Sequence, residues 1–375
     1  MRSGRLFSLL ALTFALSSAP VFTFAQHEEN HEAAPATEAA AAHEGHHEEK
    51  KEGFNASEVI FGHIGDSHYW HLFDINEHPV SLSLPVIIYH PEKGVEMFSA
   101  SKFHHGHESY NGYHIEKGMK EKIISEDGAS IIDFSVTKNV LSMIISVVLL
   151  LWIMLSVAKK YKKNGTMVAP TGFQNALEPV VTFIRDEVGK PNLGNKYMRF
   201  MPLLLTVFFF IWINNLLGLL PGGANFTGNI AVTACLALVS FIVMLFSANK
   251  HFWGHLFNPP GVPLGIKFLL VPIEFISLFI KPIALMIRLF ANILAGHIVI
   301  LSVISMIFIF GALSKVAGWG FVPVSLAFSI FMFFLELLVA AIQAFIFTNL
   351  TAVFLGQAIE EAHHDDHAHA EAGHH

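Results

Sequence analysis

The chain has 375 residues, of which 53% are hydrophobic and only 14% charged. A soluble globular protein carries about a quarter charged residues, so this balance excludes an ordinary soluble domain and indicates a polytopic membrane protein with one region outside the bilayer. The formal charge of −7 resides mostly in the tails and leaves no nucleic-acid footprint, and the lone cysteine, Cys235, excludes an internal disulfide and reads as a small buried apolar residue.

In chain order, residues 1–25 read as a secretory signal peptide. Arg2 and Arg5 form a basic start, residues 6–16 an apolar core too short to span a bilayer, and Thr23-Phe24-Ala25 a small-residue cleavage site before Gln26. An uncleaved anchor is the alternative, and with either the following segment is exported. Residues 26–53 are rich in His, Glu and Ala, and the tail at 361–375 repeats the theme in His363-His364-Asp365-Asp366-His367. Neither segment buries enough apolar surface to fold, so both are expected to be disordered; their histidines suit either metal binding or a solvated, proton-buffering tail. Residues 54–136 read as a small β-rich exported (periplasmic) region. Residues 80–89 alternate in part with period two, and Gly94, Gly106, Gly112 and Gly118 punctuate short segments. Tyr69, Trp70, His71 and Phe73 are either its aromatic core or a partner surface.

The membrane domain is expected over 137–360. Its first span, 140–158, is followed at once by Lys159, Lys160, Lys162 and Lys163, which places that end in the cytoplasm and agrees with the exported N-terminal region. At 172–190, Leu177, Val180, Val181 and Ile184 share one helical face while Glu178, Arg185, Asp186 and Glu187 are polar. This predicts an amphipathic surface helix, ended by Pro191 and Gly194. Spans at 200–220 and 230–248 follow. The apolar segment at 264–310 would make ~70 Å of helix, about twice the hydrocarbon thickness, so it must be kinked, tilted or split, with Pro272, Pro282 and Gly296 as break points. The last span, 322–355, is also overlong. The fold class is therefore an all-α polytopic membrane protein of about five crossings with a long tilted C-terminal helical hairpin, plus the small β-rich N-terminal region. The C-terminus would be cytoplasmic.

Charges within these spans are costly and point to function. Lys267, Glu274, Lys281 and Arg288 recur every seven residues and form one stripe. Lys267 reads as snorkelling to the interface, and Glu274 and Lys281 as a structural ion pair or a secondary part of the ion path. Arg288 cannot be deprotonated and has no neutralising neighbour on its own helix, so its partner is expected elsewhere. Asn292 is one turn on, on the same face. His297 projects to the opposite side. In an antiparallel hairpin Gln343 falls near the depth of Arg288, and Glu336 near that of His297, where an imidazole and a carboxylate are suited to pass protons.

Arg288-Leu-Phe-Ala-Asn292-Ile-Leu-Ala-Gly296-His297 resembles the signature of subunit a of rotary (F-type) ATP synthases, and Ile342-Gln343-Ala344-Phe345-Ile346-Phe347 resembles that family's last-helix motif. Glu274, Lys281-Pro282 and the run from Asn214-Asn215 to Pro221 also fit, and the match covers about residues 137–360. The resemblance implies a stator subunit of the inner membrane beside a ring of c subunits, with b subunits and the remaining synthase subunits as further partners. It implies no cofactor, no bound metal and no catalysis by the chain alone. Arg288 would separate two half-channels and draw protons off ring carboxylates, with His297, Glu336, Asn292 and Gln343 lining the proton path. Many bacterial members carry an acid in the place of His297 and a histidine in the place of Glu336; the exchange found in this chain keeps the acid–imidazole pair. The alternative is a metal-ion transporter with His-rich tails, although a fixed arginine repels cations. A membrane scaffold for the exported region leaves the polar stripe unexplained.

Overall fold

The computed structural model describes residues 60–360, apart from positions 61, 76, 77, 117, 119, 166–168, 221, 222, 225 and 260. The expected signal peptide, the 26–53 segment and the tail at 361–375 lie outside the described residues.

Residues 60–137 form a β-rich unit. Strands β1 (Tyr69–Ile75) and β2 (His78–Ser83) pair antiparallel; β3 (Pro85–His90) pairs with both β4 (Gly94–Ser99) and β7 (Ile132–Asp133); β5 (Tyr113–Glu116) pairs with β6 (Lys122–Ser125). The single strand expected over residues 80–89 is two strands in the structure. Proline donates no hydrogen bond and favours a strand start, and Pro85 opens β3 just after the buried Leu84. Alternation in β3 turns Val86, Ile88 and His90 inward. They meet Tyr69, Ala100, Phe103, Tyr113, Ile115 and Ile123 in a compact core. Tyr69 is thus a core residue, its hydroxyl donating to the Ala100 carbonyl, while His71 is exposed. Gly94, at φ +80°, makes the β3–β4 turn in a conformation other residues rarely adopt.

Fully buried His68 ties the unit together. Its backbone N–H donates to Glu121 at 2.7 Å, its Nδ1 lies 3.2 Å from the same carboxylate, and its Nε2 lies 3.8 Å from Asp133. Burial opposes a charged ring, but the flanking Asp133 and Glu121 outweigh it and hold the pKa up at about 9.

The helical part begins where the β-rich unit ends. Helix α1 (Lys138–Asn164) has Thr137 as its N-cap residue, but the Thr137 side chain does not cap it. Asp66 does so from across the fold, accepting the Asn139 N–H at 3.2 Å and the Thr137 hydroxyl at 2.9 Å. A carboxylate at a helix N-terminus satisfies orphan donors and suits the helix dipole.

Helix α2 (Phe173–Phe183) continues through a wide π-helical turn (Ile184–Gly189) into a last turn, Lys190–Leu193. Its apolar face buries Leu177, Ile184 and Val188, and Glu178 and Glu187 are exposed. Pro191 does not end it: it follows directly on the π-helical turn, whose widened backbone takes in a residue without an N–H. The stop is Gly194, at φ +51°. Helices α3 (Tyr197–Gly218), α4 (Ile230–Ser247) and the short α5 (Lys250–Phe257) precede the hairpin of α6 (Leu264–Leu313) and α7 (Lys315–Ile359). Five helical stretches are long and apolar enough to cross a membrane, which makes this a multi-pass membrane protein.

Helix α6 is one unbroken helix of 50 residues, ~75 Å long, through Pro272, Pro282 and Gly296. It is not split at any of these positions, so it must tilt or curve to remain in a bilayer. Ser314 turns the chain and caps α7 through Ala317 N–H at 3.0 Å. Just beyond, Gly311 and Gly318 touch backbone to backbone: a Cβ on Gly318 would lie 2.7 Å from the Gly311 Cα. At its far end α7 is fastened by Asn192–Asn349 (3.0 Å) and by Asn249 and Lys196 donating to the Ile359 carbonyl (2.9 and 3.2 Å). The apolar core runs along α3, with Leu204, Phe208, Phe209 and Ile211 in one cluster with α7 residues such as Phe347 and Leu355, to which α6 adds Leu289; α3 packs on α7, and α6 on α7 and α4.

The charged His68 contributes stability that is fully present below about pH 6.5 and is lost as the pH rises through about 9, because its pKa is higher in the folded state than in the unfolded chain. Hydrogen exchange of β6 and β7 amides in the detergent-solubilised chain should show protection falling across that window, by on the order of 3 kcal/mol. The His68→Gln chain should start lower and stay flat across it.

Candidate functional site

Helix α6 packs through Leu278, Leu285, Leu289 and Ile293. These positions are spaced by seven, four and four residues and share one face, so the rest of the helix surface is left largely uncovered. Arg288 stands on that uncovered face, exposed, and makes no hydrogen bond or ion pair among the described residues. Ala284, Ala291 and Ala295 are exposed on the same face, four residues before and three and seven after the arginine. Their small side chains leave room for another helix to approach the guanidinium closely. Ile283 and Ile287 flank it and are about half exposed. Asn292 is exposed one turn on.

The register of the hairpin is fixed at Gly296. A Cβ there would coincide with the Glu336 carboxyl group of α7, so glycine is what lets the two helices meet at this level. Gln343 lies seven residues further along the antiparallel α7 and is therefore level with Leu289, next to Arg288. Gln343 and Glu336 are both buried, and both carboxylate oxygens of Glu336 lack a hydrogen-bond partner. Buried acceptors are normally paired, so such orphans call for an explanation.

His297, one residue past Gly296, is half-buried and makes no hydrogen bond to Glu336. The structure brings the two to one level of the hairpin without joining them.

The lower stripe differs from its expected pairing. Lys281 Nζ donates to Gln357 Oε1 of α7 at 2.9 Å and lies over the Phe354 ring. Glu274 faces His255 of α5 at 4.0 Å, and its second oxygen is buried and unpaired. The Glu274–Lys281 ion pair is thus not formed, because each side chain is drawn to a neighbouring helix. Lys267 reaches Asn258 at 2.6 Å, beyond the start of α6.

Further polar residues surround Glu336. Asn215 on α3 accepts the Thr227 hydroxyl at 2.7 Å and donates to the Ala340 carbonyl at 3.3 Å, one turn from Glu336 on α7. Asn214 Oδ1 is buried and unpaired. The Asn214-Asn215 pair stood out in the sequence only as part of the family resemblance. Thr227 gave no signal of its own, and Gly296 stood out only as a break point and within the family signature, since their roles depend on contacts with distant segments.

This arrangement has three chemical elements: a permanent cation on an open apolar face, a buried carboxyl group level with an imidazole, and amides between them. It suits passage of single protons to and from a group presented from outside the chain.

Comparison with known proteins agrees with this geometry. The family described as ATP synthase A chain matches residues 140–356, and a domain of unknown function (DUF8433) matches residues 59–141. The ATP synthase subunit a of Chloroherpeton thalassium is 46% identical over 248 residues, which cover 65% of this chain and 72% of that one. The ATP synthase subunit a 2 of Chlorobaculum tepidum is 44% identical over 240 residues (63% and 66%), and the subunit a of Anaeromyxobacter dehalogenans 40% over 249 (64% and 62%). The chain belongs to the ATP synthase A chain (subunit a) family.

Proposed function

We propose that this chain is the proton-conducting stator subunit of the membrane sector of an ATP synthase, in which Arg288 meets the carboxylates of a c-ring one after another. The observation that carries this reading is an arginine exposed among alanines on the uncovered face of a long apolar helix, with no anion among the described residues to neutralise it. A carboxylate entering the field of the guanidinium is favoured as the anion, so it releases its proton. The fixed positive charge also bars a proton from crossing directly between the two sides. Protons must therefore board the ring on one side and leave it on the other, and their flow becomes rotation.

His297, Glu336, Asn292 and Gln343 line the external half-channel in this reading. The unpaired oxygens of Glu336 and Asn214 support a hydrated path there, because water is the natural partner for buried orphan acceptors. Glu274 and Lys281 hold the lower part of the hairpin against α5 and α7. The unbroken tilt of α6 and α7 suits a surface that follows a ring. The b subunits complete the stator.

The lysine cluster at 159–163 puts the end of α1 in the cytoplasm by the positive-inside rule. The β-rich unit is then periplasmic, the C-terminus cytoplasmic and the membrane the cell inner membrane, with residues 1–25 as the export signal. Nothing in the comparisons favours the metal-ion transporter.

Two outcomes check this reading. Arg288→Ala should abolish ATP-driven proton pumping in inverted vesicles, since a nearby guanidinium favours the ionised carboxylate by a factor of about ten to a thousand. Coupled pumping at the wild-type rate would contradict the role. Gly296→Ala should depress proton conduction severalfold by displacing the Glu336 carboxyl group, and adding Glu336→Asp, one methylene shorter, should restore part of it. Quenching of a pH-sensitive dye in vesicles reads both.

A further inference from the structure

The two faces of the three-stranded sheet β4-β3-β7 differ. Val86, Ile88 and His90 point into the β-rich unit. The other face carries Ile87 and Tyr89 of β3, paired with Met97 and Val95 of β4. Tyr89 pairs on its other side with Ile132 of β7, and the Phe134 N–H, two residues on, donates to the Ile87 carbonyl at 2.8 Å. Period-two alternation therefore gathers six apolar side chains on this face in two rows, Ile87 with Met97 and Phe134, and Tyr89 with Val95 and Ile132. All but Ile87 are 41–71% exposed, even with the helical part of the chain present. The acids of these strands turn away: Glu96 has a buried oxygen, and Asp133 lies at His68. A contiguous apolar patch without a charge in it marks an interaction surface.

This sheet is fixed to the start of a membrane span. Strand β7 ends at Asp133 and α1 begins at Lys138. The residues between stay tied to β3, with the Val136 N–H donating to the Pro85 carbonyl at 3.1 Å. Asp66 caps α1 from the same unit, and the Lys138 N–H and Nζ donate to the Ser67 and His63 carbonyls, each at 2.9 Å. There is thus no loose linker between the sheet and the helix. The far end of α1 carries Lys159, Lys160, Lys162 and Lys163. About 20 helical residues fill the hydrocarbon, and counted back from Lys159 they reach Asn139, in the first turn of α1. At most ~13 Å of extended chain separates Phe134 from Lys138, and the headgroup zone takes up about 5–8 Å of that. The apolar face is therefore held beside the bilayer surface, on the same helix that goes on to expose Ile144, Ile145, Val148 and Trp152.

We propose that this sheet face docks on the membrane itself, with Ile87, Tyr89, Val95, Met97, Ile132 and Phe134 set into the headgroup–acyl boundary of the leaflet at the Lys138 end of α1. The partner is lipid, not a further protein. Aliphatic side chains and Phe134 gain from leaving water for the acyl chains, and Tyr89 suits the boundary because its ring is apolar while its hydroxyl stays among the headgroups. Docked in this way, the β-rich unit rests on the leaflet and holds α1 at one depth. The proposal goes beyond the proton-conducting reading and needs only that α1 crosses the membrane.

The test uses the complete synthase in liposomes, with the chain's only cysteine removed by Cys235→Ala. Single cysteines are introduced on the face as Val95→Cys, Met97→Cys or Ile132→Cys, and away from it at an exposed position as Glu126→Cys. Each is labelled with a small fluorophore, and the signal of the Cys235→Ala synthase is subtracted. Lipids brominated high on the acyl chain should quench the three labels on the face by about half or more, as expected at the headgroup–acyl boundary, and leave the label at position 126 unchanged. Iodide in the surrounding water should do the reverse. Labels on the face that iodide quenches and brominated lipid does not would overturn the proposal, leaving the face in water. Labels shielded from both would overturn it in favour of a protein partner, and equal quenching of all four by brominated lipid would remove any preference for this face. None of these signals depends on proton flow, so this proposal and the role of Arg288 stand or fall separately.

Discussion

A guanidinium cannot shed its proton, and a charged side chain within hydrocarbon costs at least ~2.5–3.5 kcal/mol. Arg288 meets both conditions on a helix whose other exposed residues, Asn292 apart, are apolar or small. Among the described residues nothing in the chain relieves the cost, and the neighbouring lysine, Lys281, is turned away to Gln357. In the proposed reading relief comes from an anion brought by another subunit: a ring of carboxylates would supply it, and the small exposed side chains of Ala284, Ala291 and Ala295 would supply the clearance for it to arrive.

The second constraint is the register of α6 on α7. Two helices of 50 and 45 residues present many alternative alignments to one another. Glycine positions choose among them. Gly311 against Gly318 seats the hairpin near its turn, and Gly296 against Glu336 seats it near its centre. With that alignment Gln343 comes level with the arginine, and Glu336 comes level with His297. The imidazole and the carboxylate are not locked together by a hydrogen bond, which in the proposed reading leaves each free to bind and release protons in turn. A permanently paired couple would hold its proton instead of passing it.

Much of this was legible in the sequence because helices in a bilayer announce themselves. Apolar length gave the first hairpin helix to within three residues but started the second seven residues late, at 322 instead of Lys315, and the seven-residue spacing put the charged stripe on one face. Arg288 was conspicuous as a charge in an apolar run. The rest depended on contacts that leave no local period. Asp66 caps a helix that begins at Lys138, and Asn215 meets Ala340. The supposed Glu274–Lys281 pair failed for the same reason: spacing shows which residues share a face but not which neighbouring helix attracts them. Pro85 and Pro191 show that even strong punctuation acts through its position within an element.

The account's central claim concerns where Arg288 points in the assembled enzyme. A density map of the intact synthase tests it most directly. The account predicts the guanidinium facing a c-subunit carboxylate within ion-pair reach, ~4 Å or less, with Ala284, Ala291 and Ala295 against the ring. An Arg288 side chain directed into lipid headgroups or bulk water, with a different face of α6 on the ring, would contradict it.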